Sequence, residues 1–195
     1  MTVSTKDHIT KISKSLFAKN GYEGFSMRTL SKESGVGLSS IYHFFIDKDE
    51  ILKDIFKTTR RELGIARAKL PDSDSAEAML RDRIKFQFKH IEDVVFVLKY
   101  YLHFRPDFLR QNTGYLPSKA YLHIEEVLQV GVANGEFCIN ASEINKESKV
   151  IAHAINGFLL EYYPNPPKKS ELEELTNSIH LFLMRSLTNK EASMT

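Results

Sequence analysis

From Phe25 to Phe45 the chain reads FSMRTLSKESGVGLSSIYHFF, and this stretch limits the fold more than any other. It reads as two short helices joined by a tight turn. Ser26 is placed to cap the first, because its hydroxyl can accept a bond from an amide that the opening turn leaves unpaired. Met27 and Leu30 then fall on one face. Gly35 stands where a chain leaving a helix needs a left-handed residue, which glycine supplies without a Cβ clash. Val36 plugs the turn. A second short helix begins at Leu38, with Ile41, Phe44 and Phe45 as its apolar residues and Ser39, Ser40, Tyr42 and His43 on the other faces. Two helices about a glycine-containing turn form the helix-turn-helix pattern, whose second helix fits the DNA major groove.

The charge pattern is compatible with that reading but does not establish it. Residues 1–60 carry ten basic and seven acidic side chains, a net of +3, and the remainder is at −1. At 195 residues and 42% hydrophobic, the chain has the make-up of an ordinary soluble globular protein. No apolar run is long enough for a membrane span, and Met1 to Lys14 lack a signal-peptide core. The single cysteine, Cys138, cannot close an internal disulfide, which points to a reducing cytoplasm.

A more specific likeness rests on Gly35-Val36, Ile41-Tyr42-His43-Phe44-Phe45 and Asp47-Lys48-Asp49-Glu50-Ile51-Leu52, in order and at matching spacing. Over residues 5 to 55 the chain resembles the DNA-binding domain of the TetR/AcrR family of repressors. That family often has a basic residue and then glycine where this chain has Leu38 and Ser39, and alanine where it has Ser31 and Ser34. The resemblance implies phosphate contacts from Tyr42 and Lys48; the plain alternatives are a half-buried tyrosine and a solvated lysine. Ser39, Ser40 and His43 are the side chains expected to face the groove, beside Leu38, which offers no polar base contact. Ser26 and Arg28 open the preceding helix, whose free amides favour a phosphate. Ser26 can be a cap, a phosphate contact or both.

The remaining chain reads as helices throughout, with no strand alternation. Ile9, Ile12, Leu16 and Phe17 mark a first helix from about Lys6 to Asn20, stopped at Asn20-Gly21. Tyr22 and Phe25 are expected to close the small core. Asp47, with Glu50 three residues on, caps a fourth helix to about Lys69 that supports the reader through Ile51, Leu52, Ile55 and Phe56. A single long helix is expected from Ala76 to about Phe104, because Leu80, Ile84, Phe88, Ile91, Val95, Leu98 and Leu102 recur every three or four residues. Arg105-Pro106 ends or kinks it. A short helical turn around Asp107 to Gln111 and a loop at 112–114 follow. Another helix starts at Pro117 and Ser118 and stops at Asn134-Gly135. Gly131-Val-Ala-Asn-Gly-Glu-Phe137 also resembles the regulatory domain of TetR-like proteins. Two last helices are expected, one capped by Asn140 and running to about Tyr163, the other opened by Ser170.

The fold class is therefore all-α: a helix-turn-helix domain at 1–47, then a helical-bundle regulatory and dimerisation domain at 48–195. The resemblance implies a homodimer paired through the last two helices, across the apolar faces at Ile151 to Tyr162 and Leu175 to Phe182. The plain alternative is that these faces only complete the monomer's core. Two readers on a two-fold axis suit a palindromic operator on double-stranded DNA. The resemblance also implies a small, largely apolar effector among the middle helices. Phe86, His90, Tyr101, Phe104, Tyr121, His153 and Phe158 are its candidate contacts, each with core packing as the alternative; His103, His123 and Asn156 are further polar handles. No cofactor and no metal are expected. The sequence has no Gly-rich phosphate loop, nucleophile elbow or HExxH pattern, which argues against an enzyme. The reading is a repressor released by its effector; a ligand-dependent activator, or a helical module that does not read DNA, stays open.

Overall fold

The computed structural model describes residues 4–71, 73–110, 121–163 and 165–189. The loop expected at 112–114 and the helix start at Pro117 and Ser118 lie outside them. Nine α-helices and no strand occur among the described residues: α1 Thr5–Asn20, α2 Met27–Ser34, α3 Leu38–Phe44, α4 Lys48–Arg67, α5 Ala76–Lys89, α6 Ile91–Arg110, α7 Leu122–Ala133, α8 Ile144–Tyr162 and α9 Lys169–Thr188. The helices divide into two compact units, Met1–Ala68 with Glu92–Gln111, and Lys69–Ile91 with Asn112–Thr195.

In the first unit α1 packs on α2 and α4. Ile9, Phe17, Phe25, Leu30, Ile41, Ile51 and Leu52 are fully buried, and Ile55 and Phe56 nearly so. Ile12 and Leu16, expected on the same stripe as Ile9, are both only half-buried: the stripe's buried members are Ile9 and Phe17, joined by Ser13 and Ala18. α6 belongs here too. Its Phe96 meets the Phe17 ring edge-on at 5.2 Å, and its Tyr100 stacks on Phe56 at 4.2 Å. Asp93 accepts from the Lys14 ammonium at 2.6 Å, and Lys99 donates to the Ala18 carbonyl at the end of α1. A cation at a helix C-terminus is favourable; burial nevertheless lowers the Lys99 pKa.

The long helix expected from Ala76 to Phe104 is two helices. His90 leaves the helical region at φ −110° and ψ 31°, although its amide still donates to the Phe86 carbonyl. No glycine or proline marks this break, and the apolar spacing runs through it. The acidic pair Glu92-Asp93, in the first turn of α6, is the only local sign of a helix start. Pro106 does not end α6, which continues to Arg110; the helix forgoes one backbone donor there. The other boundaries move slightly. α4 ends at Arg67, a 3-10 turn at 141–143 separates Asn140 from α8, and α9 starts at Lys169. The carboxylate of Glu171 accepts from the Lys168 amide at 2.9 Å, so the capping interaction lies just before Ser170.

In the second unit α5 packs on α7, α8 and α9, and α7 on α8. The segment Gly131 to Phe137 closes it, and almost every residue there has a physical reason. Gly135 turns the chain at φ 74°. The Asn134 side chain donates to the Asp74 carbonyl at 2.8 Å. The Phe137 ring, 4% exposed, lies where a Cβ on Gly131 would be, 2.1 Å from ring atom Cδ2. The Cys138 amide donates to the Leu187 carbonyl of α9 at 2.7 Å.

Glu136 caps α5 from outside the helix. Its carboxylate accepts from the amides of Ala76 (3.0 Å) and Glu77 (3.1 Å) and from the Ser75 hydroxyl (3.2 Å). Those two amide bonds are the main reason its pKa is lowered. The stabilisation is present above the ordinary glutamate pKa and is lost as pH falls through the lowered folded value. Glu136→Gln is therefore expected to lower the melting temperature at pH 7. The gap to the parent closes as pH is taken below that titration; a gap of constant size across the range contradicts the ionic cap.

Candidate nucleic-acid interface

The helix-turn-helix is built by short-range chemistry. The Ser26 hydroxyl accepts from the Thr29 amide at 3.0 Å and starts α2. Gly35 ends it in the left-handed region, φ 69° and ψ 7°. The turn is pinned from three sides: Ser31 Oγ donates to the Val36 carbonyl (2.8 Å), the Val36 amide donates to Ser34 Oγ (3.2 Å), and His8 Nε2 donates to the Ser34 carbonyl (3.0 Å). Ser31 and Ser34 thus hold the turn.

α3 is anchored by Ile41, buried on its inner face, and by Phe45, the buried residue that ends it. Phe44, expected with them, lies off that face and is 38% exposed. Leu38, Ser39, Ser40, Tyr42 and His43 are all exposed. Ser39 and His43 share the face turned away from Ile41, and Tyr42 (54% exposed) flanks it. The five expected residues of α3 are thus all exposed, spread over the sides of the helix that Ile41 does not take. Arg28 lies in the first turn of α2 and is exposed, whereas Ser26, the cap of that helix, is half-buried.

Lys48 is differently placed from a freely solvated lysine. Its ammonium donates to the carbonyls of Tyr22 (3.3 Å) and Phe25 (3.4 Å) and lies 3.6 Å from the centre of the Tyr22 ring. That ring also stacks with His103 of α6, centroids 3.6 Å apart. The Tyr22 hydroxyl donates to Asp49 Oδ1 at 2.7 Å, and its pKa is pushed up to about 12 by burial first and by Asp49 second. Asp47 Oδ1 caps α4 by accepting from the Glu50 amide at 2.8 Å. Glu50 in return accepts from the Ile46 amide at 2.7 Å, one residue earlier than an ordinary capping box. The start of α4 is thereby tied to the connection between α1 and α2. Tyr22 and His103 as supports of Lys48 were not legible in the sequence, since residues so far apart give no spacing signal.

The expected effector residues are divided between the two units. Phe86, His90, Tyr121, His153 and Phe158 lie in the second unit, Tyr101 and Phe104 in the first. Phe86 is buried with its ring 4.5 Å from that of His90. Phe104 is engaged by Tyr100 and Tyr22. The Tyr121 hydroxyl accepts from Asn145 Nδ2 at 3.3 Å, and His153 is exposed, as is Phe158. A polar pair in the second unit includes a residue outside the expected set: Gln87 Nε2 is 3.4 Å from His123 Nε2, and both side chains are buried. Gln87 interrupts the apolar run Phe86-Gln87-Phe88, which is the one signal that could have drawn attention to it.

Comparison with known proteins supports the same frame. Residues 9–55 match the family described as bacterial regulatory proteins, tetR family. The chain is 23% identical over 169 residues to the HTH-type transcriptional regulator QacR of Staphylococcus aureus, spanning 80% of this chain and 85% of that one. Its fold is similar to that of the TetR family transcriptional regulator PfmR from Thermus thermophilus, with a TM-score of 0.68 at 22% identity over 91% of this chain and 97% of that chain. It is also similar to the fatty acid degradation regulator FadR from Bacillus halodurans, with a TM-score of 0.65 at 18% identity over 94% and 97%. No described helix is long and apolar enough to cross a membrane. Residues 9–55 thus carry the segment that defines the bacterial regulatory proteins of the tetR family, and the chain around them has a helical fold similar to that of TetR-family regulators.

Proposed function

We propose that the protein is a homodimeric cytoplasmic repressor that occupies a palindromic operator and leaves it when a small, largely apolar effector binds. The observation that carries the DNA reading is on α3: Ser39, Ser40, Tyr42 and His43 are all exposed on a helix anchored by Ile41 and Phe45. In this reading Ser39, Ser40 and His43 meet base edges. Tyr42, Lys48, Ser26 and Arg28 hold phosphates. Two of Lys48's protons point at carbonyls, which leaves one for a phosphate oxygen.

Residues 1–47 act as reader and 48–195 as body, with α4 as the lever between them. An effector held by residues drawn from Phe86, His90, Tyr101, Phe104, Tyr121, His153 and Phe158 favours the state that binds DNA less well. Displacing α4 in each subunit then changes the separation of the two α3 helices. Dimerisation through α8 and α9 is supported by apolar side chains left outside: Val150, Phe158 and Leu160 on α8, Leu181 and Phe182 on α9.

Replacing Tyr42 with alanine tests the division of labour. Affinity is expected to fall about tenfold per half-site on every duplex, as for loss of one bond to a charged group. Ser40→Ala is expected to alter sequence preference more than overall affinity. Fluorescence anisotropy over a panel of duplexes at two salt concentrations measures both. Equal losses on all duplexes for both variants contradict the assignment, and an affinity indifferent to salt contradicts DNA binding itself.

A further inference from the structure

At the start of α3, Gly37 and Leu38 are two features the fold does not require. Gly37 is the residue before the helix, at φ −58° and ψ 143°, angles that any residue adopts. A Cβ there would meet nothing within 4 Å. Serine or aspartate at this position would supply the side-chain cap that α3 lacks. Leu38 follows, 37% exposed, while Ile41 and Phe45 do the anchoring. The approach to this end of the helix is therefore bare backbone beside an exposed aliphatic side chain. The groups that can hydrogen-bond, Ser39, Ser40, Tyr42 and His43, follow along the helix.

We infer that Leu38 reads a thymine in each half-site by packing on its C5 methyl group, with Gly37 leaving room for the base edge to come close. The inference rests on the DNA reading proposed above and deepens it. Leucine has no donor or acceptor, so it cannot recognise the hydrogen-bonding edges of guanine, adenine or cytosine. The thymine methyl is the one apolar group that a standard base pair presents in the major groove. The first residues of a recognition helix are also the ones that reach base edges. Glycine at a helix start permits close approach of a ligand to the backbone.

The test uses the full-length protein and the duplex it enriches from a random pool, with each thymine replaced singly by uracil, which differs only by the methyl group. One symmetry-related thymine per half-site is expected to matter, at about fourfold in affinity for each methyl removed. In Leu38→Ala the parent duplex binds more weakly and the uracil penalty at that position disappears. Leu38→Met keeps the penalty, and Leu38→Lys moves the preference at that position to guanine. A uracil scan that is flat at every position overturns the inference. So does a sensitive position whose penalty is unchanged in Leu38→Ala. Failure of the pool to yield any enriched duplex is a different result: it removes the helix-turn-helix reading, and the thymine contact with it.

Discussion

Replacing Gly131 with alanine is expected to lower the melting temperature markedly, although glycine to alanine inside a helix ordinarily stabilises by about 0.5–1 kcal/mol. The reason is the Phe137 ring. An added Cβ on Gly131 falls 2.1 Å from Cδ2, 2.4 Å from Cε2 and 2.7 Å from Cγ. The ring is buried and its backbone is tied on both sides, by the Phe137 amide donating to the Gly131 carbonyl (2.9 Å) and by the Cys138 amide donating to Leu187 (2.7 Å). It cannot move aside cheaply. Overpacking of this kind costs about 1–3 kcal/mol, which for a chain of this size lowers the melting temperature by roughly 2–12 °C. Gly131→Ala combined with Phe137→Leu is expected to be more stable than the sum of the two single losses predicts, because the smaller side chain relieves the clash. Additive losses contradict this account of Gly131, and so does a stabilised single variant.

The second large effect concerns association. Phe182 is 68% exposed and Leu181 57% exposed on α9, whereas Ile179, Leu183 and Leu187 of the same helix are buried. On α8, Ile151, Ile155 and Leu159 are likewise buried. The apolar band of each helix thus serves its own core with one side and leaves a second side outside, where water meets large hydrophobic groups. Phe182→Glu is expected to leave the melting of the monomer nearly unchanged and to abolish the dimer in sedimentation. Operator affinity is then expected to fall by about 10²–10⁴, the advantage that tethering a second half-site reader confers. A variant that remains dimeric with full operator affinity contradicts the assignment of α8 and α9 to the interface.

How much was legible in the sequence follows from the range of the interactions. Ser26, Gly35, Asp47 and Glu50 act on amides or dihedrals within four residues of themselves, so their residue types announced the helix-turn-helix and the ends of its helices. The break at His90 was hidden because the apolar spacing on both sides has the same period and no breaker residue stands there. The packing of α6 against α1 and α4 depends on Phe17, Phe56, Phe96 and Tyr100 meeting across long stretches of chain, and periodicity identifies a buried face without naming its partner. Phe44 shows the same limit at short range: being apolar did not settle its side, since Ile41 already filled the inner face. The aromatic residues expected to gather around an effector were chosen by type alone. Type does not distinguish Phe104, engaged by Tyr22 and Tyr100, from a residue lining a pocket.

Selection of bound duplexes from a random pool by the purified full-length protein, at physiological salt, tests the central claim most directly. An inverted repeat is predicted, its half-sites centred about 34 Å apart or at a multiple of that distance, with enrichment lost in Tyr42→Ala. A single unrepeated site contradicts the two-fold reader, and a pool that stays unenriched contradicts DNA reading by α3.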